Sequence, residues 1–267
     1  MSPIGKNRIW RLLDTDAAPG PRTAALDEAI ARARSADRVP DTLHFYRRRP
    51  PAVTMGYSLD ATAAVDLGYC RMKGIDVVRR LSGGGAIYTD ERQLVYSLTT
   101  KGVLPSSVEA SLRLVCTALA KAVTSLGTEA VFSPMNDVLV GGRKVSGSAQ
   151  LRKWGVVLQH GTVLVDADPE QMFRALRVPD DKLKRQSLQD PRQRVTTLRA
   201  ELGRLPPMDR VKGAVRNAFE EAFDADILPG EPTAFEMAMA TELLKSRYGN
   251  DDWNLRRLPP IGPTNPL

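Results

Sequence analysis

NDVLVGGRKVSGSAQLRKWGVVLQHGTVLVD, residues 136–166, decides how the rest of the chain is read. Gly141-Gly142 between DVLV and RKVSGSAQ is the signature of a two-residue hairpin. A second turn at LRKWG leads into VVLQHGTVLVD, so the segment reads as a β-meander. Period-two alternation places Lys144, Ser146 and Ser148 on one face of their strand. With the second turn near Lys153 and Trp154, His160 falls close to Lys144. An inward lysine needs an anionic partner. None is evident on that face, so the pattern predicts a ligand anion.

The strand before this region, GIDVVRRL (74–81), runs into Ser82 and then Gly83, Gly84 and Gly85. Glycine is entropically expensive to order, so three in a row need a reason. The loop lacks GxxxxGK[ST], and it lacks GxGxxG spacing ahead of a helix. It sits between two strands, with Arg79 and Arg80 beside it. Its backbone N–H groups can cradle an anion, and a guanidinium fork suits phosphate or carboxylate. A flexible hairpin with solvated arginines is the competing reading. Adjacent strand residues face opposite ways, so Arg79 and Arg80 do not share a role.

Farther out, TAALDEAIARAR (23–34) reads as a helix capped by Thr23. LHFYRRRPPAVTMGYS (43–58) reads as strands broken at Pro50-Pro51, and RQLVYSLTT (92–100) as another strand. Residues 106–126 form the clearest helix, with a Ser106/Glu109 capping box and a stripe of Val108, Leu112, Val115, Leu119, Val123 and Leu126. Gly127 stops it, and Cys116 lies beside the stripe as a core residue. A polar, basic surface loop spans 179–194, and helices follow near 208–223 and 233–247. Helices and hairpins intersperse without a βαβ repeat. The expectation is therefore α+β, a mixed or antiparallel sheet flanked by helices. One catalytic domain is expected over 1–257, with 208–257 as its C-terminal helical part and 258–267 as a tail.

The 267 residues carry a net charge of +7, with 42 % hydrophobic and 26 % charged residues. No apolar run is long enough to span a bilayer. The N-terminus has no apolar signal core, and Cys70 and Cys116 have neither metal nor disulfide-framework spacing. A reducing cytoplasm is the expected setting. Aromatic residues make up 6 % and no nucleic-acid module is visible, so a basic solvated surface is favoured over nucleic-acid binding, with anionic substrates or an acidic protein partner as further readings of the charge.

Taken in order, RRLSGGGAIYTD, NDVLVGGRKVSGSAQ and LQHGTVLVD resemble the lipoate–protein ligase family, within the superfamily of biotin/lipoate ligases and lipoyl/octanoyl transferases. ALDEAI, RRPPAVTMGYS and SRYGNDDWNLRR extend the resemblance over about residues 8–257. It implies the ligase catalytic-domain fold and an enzyme that activates lipoate with ATP and Mg²⁺ to lipoyl-AMP, then acylates a carrier lysine. Lys144 would touch both the acyl carboxylate and the α-phosphate. Arg80, Ser82, Gly83, Gly84, Gly85, Ala86, Ser146 and Ser148 would bind the adenylate. Asn136 and Asp137 would place nucleotide or metal. Leu81, Gly85, Gly147, Ala149, His160, Gly161 and Thr162 would line the lipoyl site. His44 is expected to be structural or on the surface.

The superfamily also holds transferases that take octanoyl or lipoyl groups from a carrier thioester through an enzyme cysteine. In those, the cysteine lies shortly before the segment matching PMNDVLV, where this chain has Val131. Without a thiolate there, covalent transfer lacks its nucleophile, which favours the ligase reading. Acyl transfer, with Cys70 to test, is the alternative. A lipoate- or biotin-binding regulator without catalysis is a third. Thr89 stands where the family often has histidine. The chain resembles the short form that lacks an extra C-terminal domain, which implies a separate accessory subunit. The carrier would be an acidic lipoyl domain of a 2-oxoacid dehydrogenase E2 or a glycine-cleavage H-like protein, steered by charges that include Lys182, Lys184 and Arg185.

Overall fold

The computed structural model describes residues 8–177 and 190–258. Chain order runs β1 (Arg8–Ala18), α1 (Gly20–Ser35), β2 (Thr42–Arg48), β3 (Ala52–Met55), α2 (Ala61–Ala64), α3 (Leu67–Lys73), β4 (Asp76–Arg79), β5 (Ile87–Thr89) and β6 (Gln93–Thr100). It continues with α4 (Val108–Ser125), β7 (Val131–Ser133), β8 (Asp137–Val140), β9 (Arg143–Lys153), β10 (Val156–Leu164) and α5 (Pro169–Ala175). The last elements are α6 (Leu198–Leu202), α7 (Met208–Phe223), β11 (Ala225–Pro229), α8 (Ala234–Leu243), a π-helical turn Leu244–Tyr248, and α9 (Asp251–Asn254).

The fold is α+β. An eight-stranded mixed sheet has the order β11-β1-β2-β6-β10-β9-β8-β7, and a three-stranded sheet β4-β3-β5 stands beside it. β1 pairs in parallel with β11 and β2, while β6 through β9 pair antiparallel around the predicted meander. The hairpin turns fall at Gly141-Gly142 and Trp154-Gly155, where φ is positive.

Alternation along the central strands supplies both cores. Leu43, Phe45, Leu94, Tyr96 and Leu98 join Val115, Leu119 and Val123 of α4 and Val211, Val215 and Phe219 of α7 in the main cluster. Each such side chain contributes about 1.5–3 kcal/mol on burial. The opposite face packs under α1, where Ala24, Ala25, Ala29 and Ile30 meet Ala240 and Leu243 of α8. α1 is buried almost all round, including Asp27 and Glu28. Two carboxylates inside a packed helix require partners.

Several expected boundaries move. α4 is capped by Ser107, whose hydroxyl accepts from the Ala110 amide at 3.3 Å, and not by Ser106. α1 begins at Gly20 behind Pro19, with Pro21 in its first turn, where a missing N–H costs no helical bond, while Thr23 lies inside the first turn and donates to the Gly20 carbonyl. His44 is fully buried. The basic residues Lys182, Lys184 and Arg185 lie outside the described residues, as do 259–267 of the expected tail. Among the described residues, no helix is long and apolar enough to cross a membrane.

Candidate active site

Lys144 stands on β9 at a β-bulge. The register passes from Val138↔Ser146 to Leu139↔Lys144, leaving Val145 unpaired. The bulge breaks the expected alternation. Val145, Ser146 and Ser148 turn toward α4: Ser148 Oγ lies 2.7 Å from the Tyr96 hydroxyl and 3.5 Å from Cys116 Sγ. Lys144 instead lies across Gly147 on the α1 face, and its Nζ is 2.6 Å from Asp137 Oδ1. The anion inferred for Lys144 is therefore supplied by the chain itself, and the two serines expected beside it face away. Asn136 is tied to the Ser148 backbone in both directions. Among the described residues no cluster of three or more His, Cys, Asp or Glu is placed to hold a metal ion.

The cross-strand pairs His160↔Ala149 and Thr162↔Gly147 put these residues on the Lys144 face. Gly147 is about 7 Å along the strand from Ala149. Gly161 faces the other way. A β-carbon there would stand 2.7 Å from both the Gly147 carbonyl and the Tyr96 ring, so its role is packing beneath the site and not lining it.

The glycine loop leans over this floor. A β-carbon built on Gly84 would come 4.0 Å from that of Ala149. Arg80 is buried and braces the loop from beneath. It donates to Ser82 Oγ (2.9 Å), the Thr54 carbonyl (2.9 Å) and the carbonyls of Gly83 (2.7 Å) and Gly85 (2.9 Å). Arg80 was expected to grip a ligand's phosphate oxygens, yet these four bonds go to the protein. Burial, with Arg48 close by, pushes its pKa down to about 10, so it keeps its charge at neutral pH. Gly84 has φ +98°, a conformation that favours glycine. Gly83 and Gly85 have negative φ, and nothing lies within 4 Å of where their β-carbons would be. Their open side is bare backbone facing free space, which is the close approach that the sequence called for.

Behind the loop a narrow slot with about 30 Å³ of free space is lined by Ala24, Leu81, Leu151, Trp154, Leu158 and His160 among others. Apolar walls with a few polar groups are typical of ligand sites, but the side chains nearly fill this one, leaving room for about one water. Lys144 lies outside the slot. Ala86, expected near the ligand, packs instead with the Val53–Tyr88 cluster under α3 and α5.

At the slot's base sits a polar network that the sequence did not reveal. Asp27 accepts from Tyr46 at 2.9 Å, lies 2.9 Å from His44 Nδ1 and is 3.9 Å from His160 Nδ1. Burial opposes the Asp27 carboxylate, but the imidazoles of His160 and His44 outweigh it and hold the carboxyl well below its usual range. His160 Nε2 is 2.7 Å from Ser82 Oγ. Burial, with the guanidiniums of Arg80 and Arg48, holds His160 below the ordinary imidazole value against the pull of Asp27. Arg80 Nε donates to the same Ser82 oxygen at 2.9 Å.

Arg79 is not solvated. It is 1 % exposed and donates to the carbonyls of Tyr57 (2.8 Å), Leu59 (2.7 Å) and Trp253 (3.1 Å). The Trp253 indole returns a bond to the Arg79 carbonyl. Gly56 was also missed: a β-carbon there would meet the Gly84 carbonyl at 2.1 Å. Both signals lay in the sequence, in MGYS and in the C-terminal DDWN, without a local pattern to link them to the loop.

Neither cysteine reaches the cleft. Cys70 is 1 % exposed among Val53, Ala61 and Ile75, and burial pushes its thiol up to about 11. Cys116 is fully buried on α4 behind the sheet, and burial pushes it to about 11 as well.

A mixed sheet with a glycine loop over a lysine-bearing hairpin defines a lipoate-ligase-like catalytic fold. Residues 20–220 match the lipoyl protein ligase A/B catalytic domain, and the chain belongs to that family. The octanoyltransferase LipM of Symbiobacterium thermophilum is 36 % identical over 271 residues, covering 93 % of this chain and 98 % of the relative. That of Kyrpidia tusciae is 34 % identical, covering 94 % and 100 %. Among solved structures, the bi-partite lipoate protein ligase of Thermoplasma acidophilum, described with its E2 lipoyl domain, matches with a TM-score of 0.83 at 29 % identity, covering 94 % of this chain and 98 % of that one.

These relatives overturn the reading as an ATP-dependent lipoate–protein ligase. Full-length relatives at 34–36 % identity are octanoyltransferases, which matches the alternative of acyl transfer. The ligase choice rested on Val131 standing where a cysteine was sought, and that one position does not outweigh similarity along the whole chain.

Proposed function

We propose that this protein is an acyltransferase. It takes an octanoyl or lipoyl group from an acyl-carrier thioester and forms an amide with a specific lysine of a lipoyl-carrier domain. The observation that carries the reading is the 36 % identity to an octanoyltransferase over 98 % of that relative's length. The cleft is compatible with it. Leu81, Leu151 and Leu158 give the slot apolar walls for an acyl chain, and they must move apart to admit it, with its carbonyl at the open end. There the bare amides of the glycine loop and the Lys144 ammonium face a developing oxyanion. Fixed donors of this kind contribute about 10²–10³-fold each in rate. Holding carrier lysine and thioester together supplies the rest by proximity. The acceptor class follows the E2 lipoyl domain described with the Thermoplasma ligase.

The test is intact-mass spectrometry of an apo lipoyl domain incubated with this protein and an octanoyl-carrier thioester, without ATP. An octanoyl mass on the acceptor lysine, reduced at least about 10²-fold in rate by Lys144→Ala, is the expected result. An unmodified acceptor under these conditions sinks the reading.

A further inference from the structure

One wall of the slot is built differently from the others. Glu28 on α1, Tyr46 on β2 and Leu158 on β10 are buried inside packed or paired elements. Leu151 pairs across the hairpin with Leu158, and Arg80 pins the loop that carries Ser82. Trp154 stands instead at the tip of the β9–β10 hairpin, outside both strands, half-buried against Ala31, Val156 and Leu158. Its φ is +57° and that of Gly155 is +72°. A two-residue turn with both values positive favours Asn-Gly, and a β-carbon there meets steric resistance. The backbone therefore gives no reason for so large a side chain. The ring is held from α1 and from its own neighbour. The Arg32 guanidinium lies 4.5 Å from the ring centroid and Lys153 Nζ 4.8 Å from it, both within cation–π range. Arg32 in turn donates to Glu28 at 2.8 Å, and Glu28 lines the slot. Ser35 Oγ donates to the Trp154 carbonyl at 2.6 Å.

We infer that Trp154 is the movable end wall of the slot and sets the length of the acyl chain that the protein accepts. The ligand class, a saturated acyl group, rests on the transferase reading above. His160 marks the near end, since its Nε2 lies 2.7 Å from Ser82 Oγ at the glycine loop. From His160 back to Val156, beside the turn, β10 spans about 13 Å. A chain whose carbonyl sits at the loop runs along Leu158 and Leu151 toward the indole. The side chains nearly fill the slot, so a chain enters only as a wall gives way. Moving Leu151 or Leu158 disturbs paired strands, whereas the indole swings out by parting from Arg32 and Lys153, without loss of a strand pair. The chain ends where the displaced ring stops it. With the ring gone, further methylenes reach the faces of Ala31 and Val156 that the indole covers. Each methylene buried there tightens binding about fourfold.

The experiment compares the wild type with Trp154→Asn, which suits the turn and removes the ring, and with Trp154→Phe, which keeps a smaller one. Calorimetry measures the binding of octanoate and dodecanoate. Transfer to an apo lipoyl domain is followed from the octanoyl- and dodecanoyl-carrier thioesters. The wild type is expected to favour the shorter chain. Trp154→Asn is expected to shift the dodecanoyl-to-octanoyl ratio, in affinity and in kcat/KM, by at least about tenfold toward the longer chain, the worth of two buried methylenes. Trp154→Phe shifts it less, and the melting temperatures stay close to wild type. An unchanged ratio in the folded Asn variant overturns the inference, and so does a wild type that binds neither acid. If Trp154→Asn does not fold, the ratio in Trp154→Phe decides. A shifted binding ratio with no acyl transfer by the wild type defeats the transferase reading and leaves the role of Trp154 standing.

Discussion

A β-carbon on Gly147 would stand 2.3 Å from Nζ of Lys144, so the cation occupies the space that the glycine leaves empty. Gly147 has no positive φ to relieve, so the missing side chain is what permits this arrangement. Gly147→Ala therefore displaces Lys144 without straining the strand. The expected outcome is a fall in acyl-transfer rate of at least about tenfold, toward that of Lys144→Ala, since misplacement of about 1 Å costs up to about 10²-fold. Thermal denaturation checks that the melting temperature stays close to wild type while steady-state kinetics records the loss.

Gly56 and Gly84 set a second requirement. Any side chain at 56 meets the Gly84 carbonyl at 2.1 Å, and backbone cannot swing aside as a flexible side chain can. Gly56→Ala is expected to destabilise the protein by about 1–3 kcal/mol and to lower transfer by moving the loop. Urea unfolding measures the first effect. A variant as stable and active as wild type contradicts the packing described.

Arg79 fastens α9 to the loop. Arg79→Ala leaves buried carbonyls without a donor, each costing about 1–3 kcal/mol. Arg79→Lys offers one ammonium where a planar fork served both sides, so it recovers only part of the loss. Hydrogen exchange is expected to show deprotection centred on residues 250–255 and 56–59 in both variants.

His160 gives the stability a pH slope. Its native pKa lies below the ordinary imidazole value of about 6.5, so the unfolded chain binds a proton that the folded chain refuses. Stability from this group is complete above about pH 6.5 and falls as pH drops through that value toward the lowered native pKa, by at most about 1.4 kcal/mol per pH unit. Asp27 is shifted in the same direction, in a lower pH window. Its depressed carboxyl pKa stabilises the fold above 3.8, and that contribution fades only at lower pH. Urea midpoints between pH 7.5 and 5 are expected to fall less steeply in His160→Gln than in wild type.

The local signals in the sequence carried the sheet's centre. Gly141-Gly142 and the KWG turn marked both hairpins, and the DVV and QLVYSLTT runs marked strands. What escaped was non-local. Nothing within three or four residues of Asp27 shows that it meets His44, Tyr46 and His160, because those contacts depend on α1 lying over the sheet. The burial of Arg79 escaped for the same reason: its partners lie in residues 57, 59 and 253. The bulge escaped because strict alternation assumes one residue per pleat. That single extra residue reversed the assignment of Ser146 and Ser148.

The bulge at Val145 also bears on how the hairpin proofreads itself. A pairing that erased it by slipping one residue would turn Lys144 toward Cys116 and Tyr96. An ammonium there, away from Asp137, would cost several kcal/mol. The misregistered hairpin is thereby penalised by the residue that the site depends on, so a molecule whose β8–β9 pairing is wrong is selected against before it can be inactive.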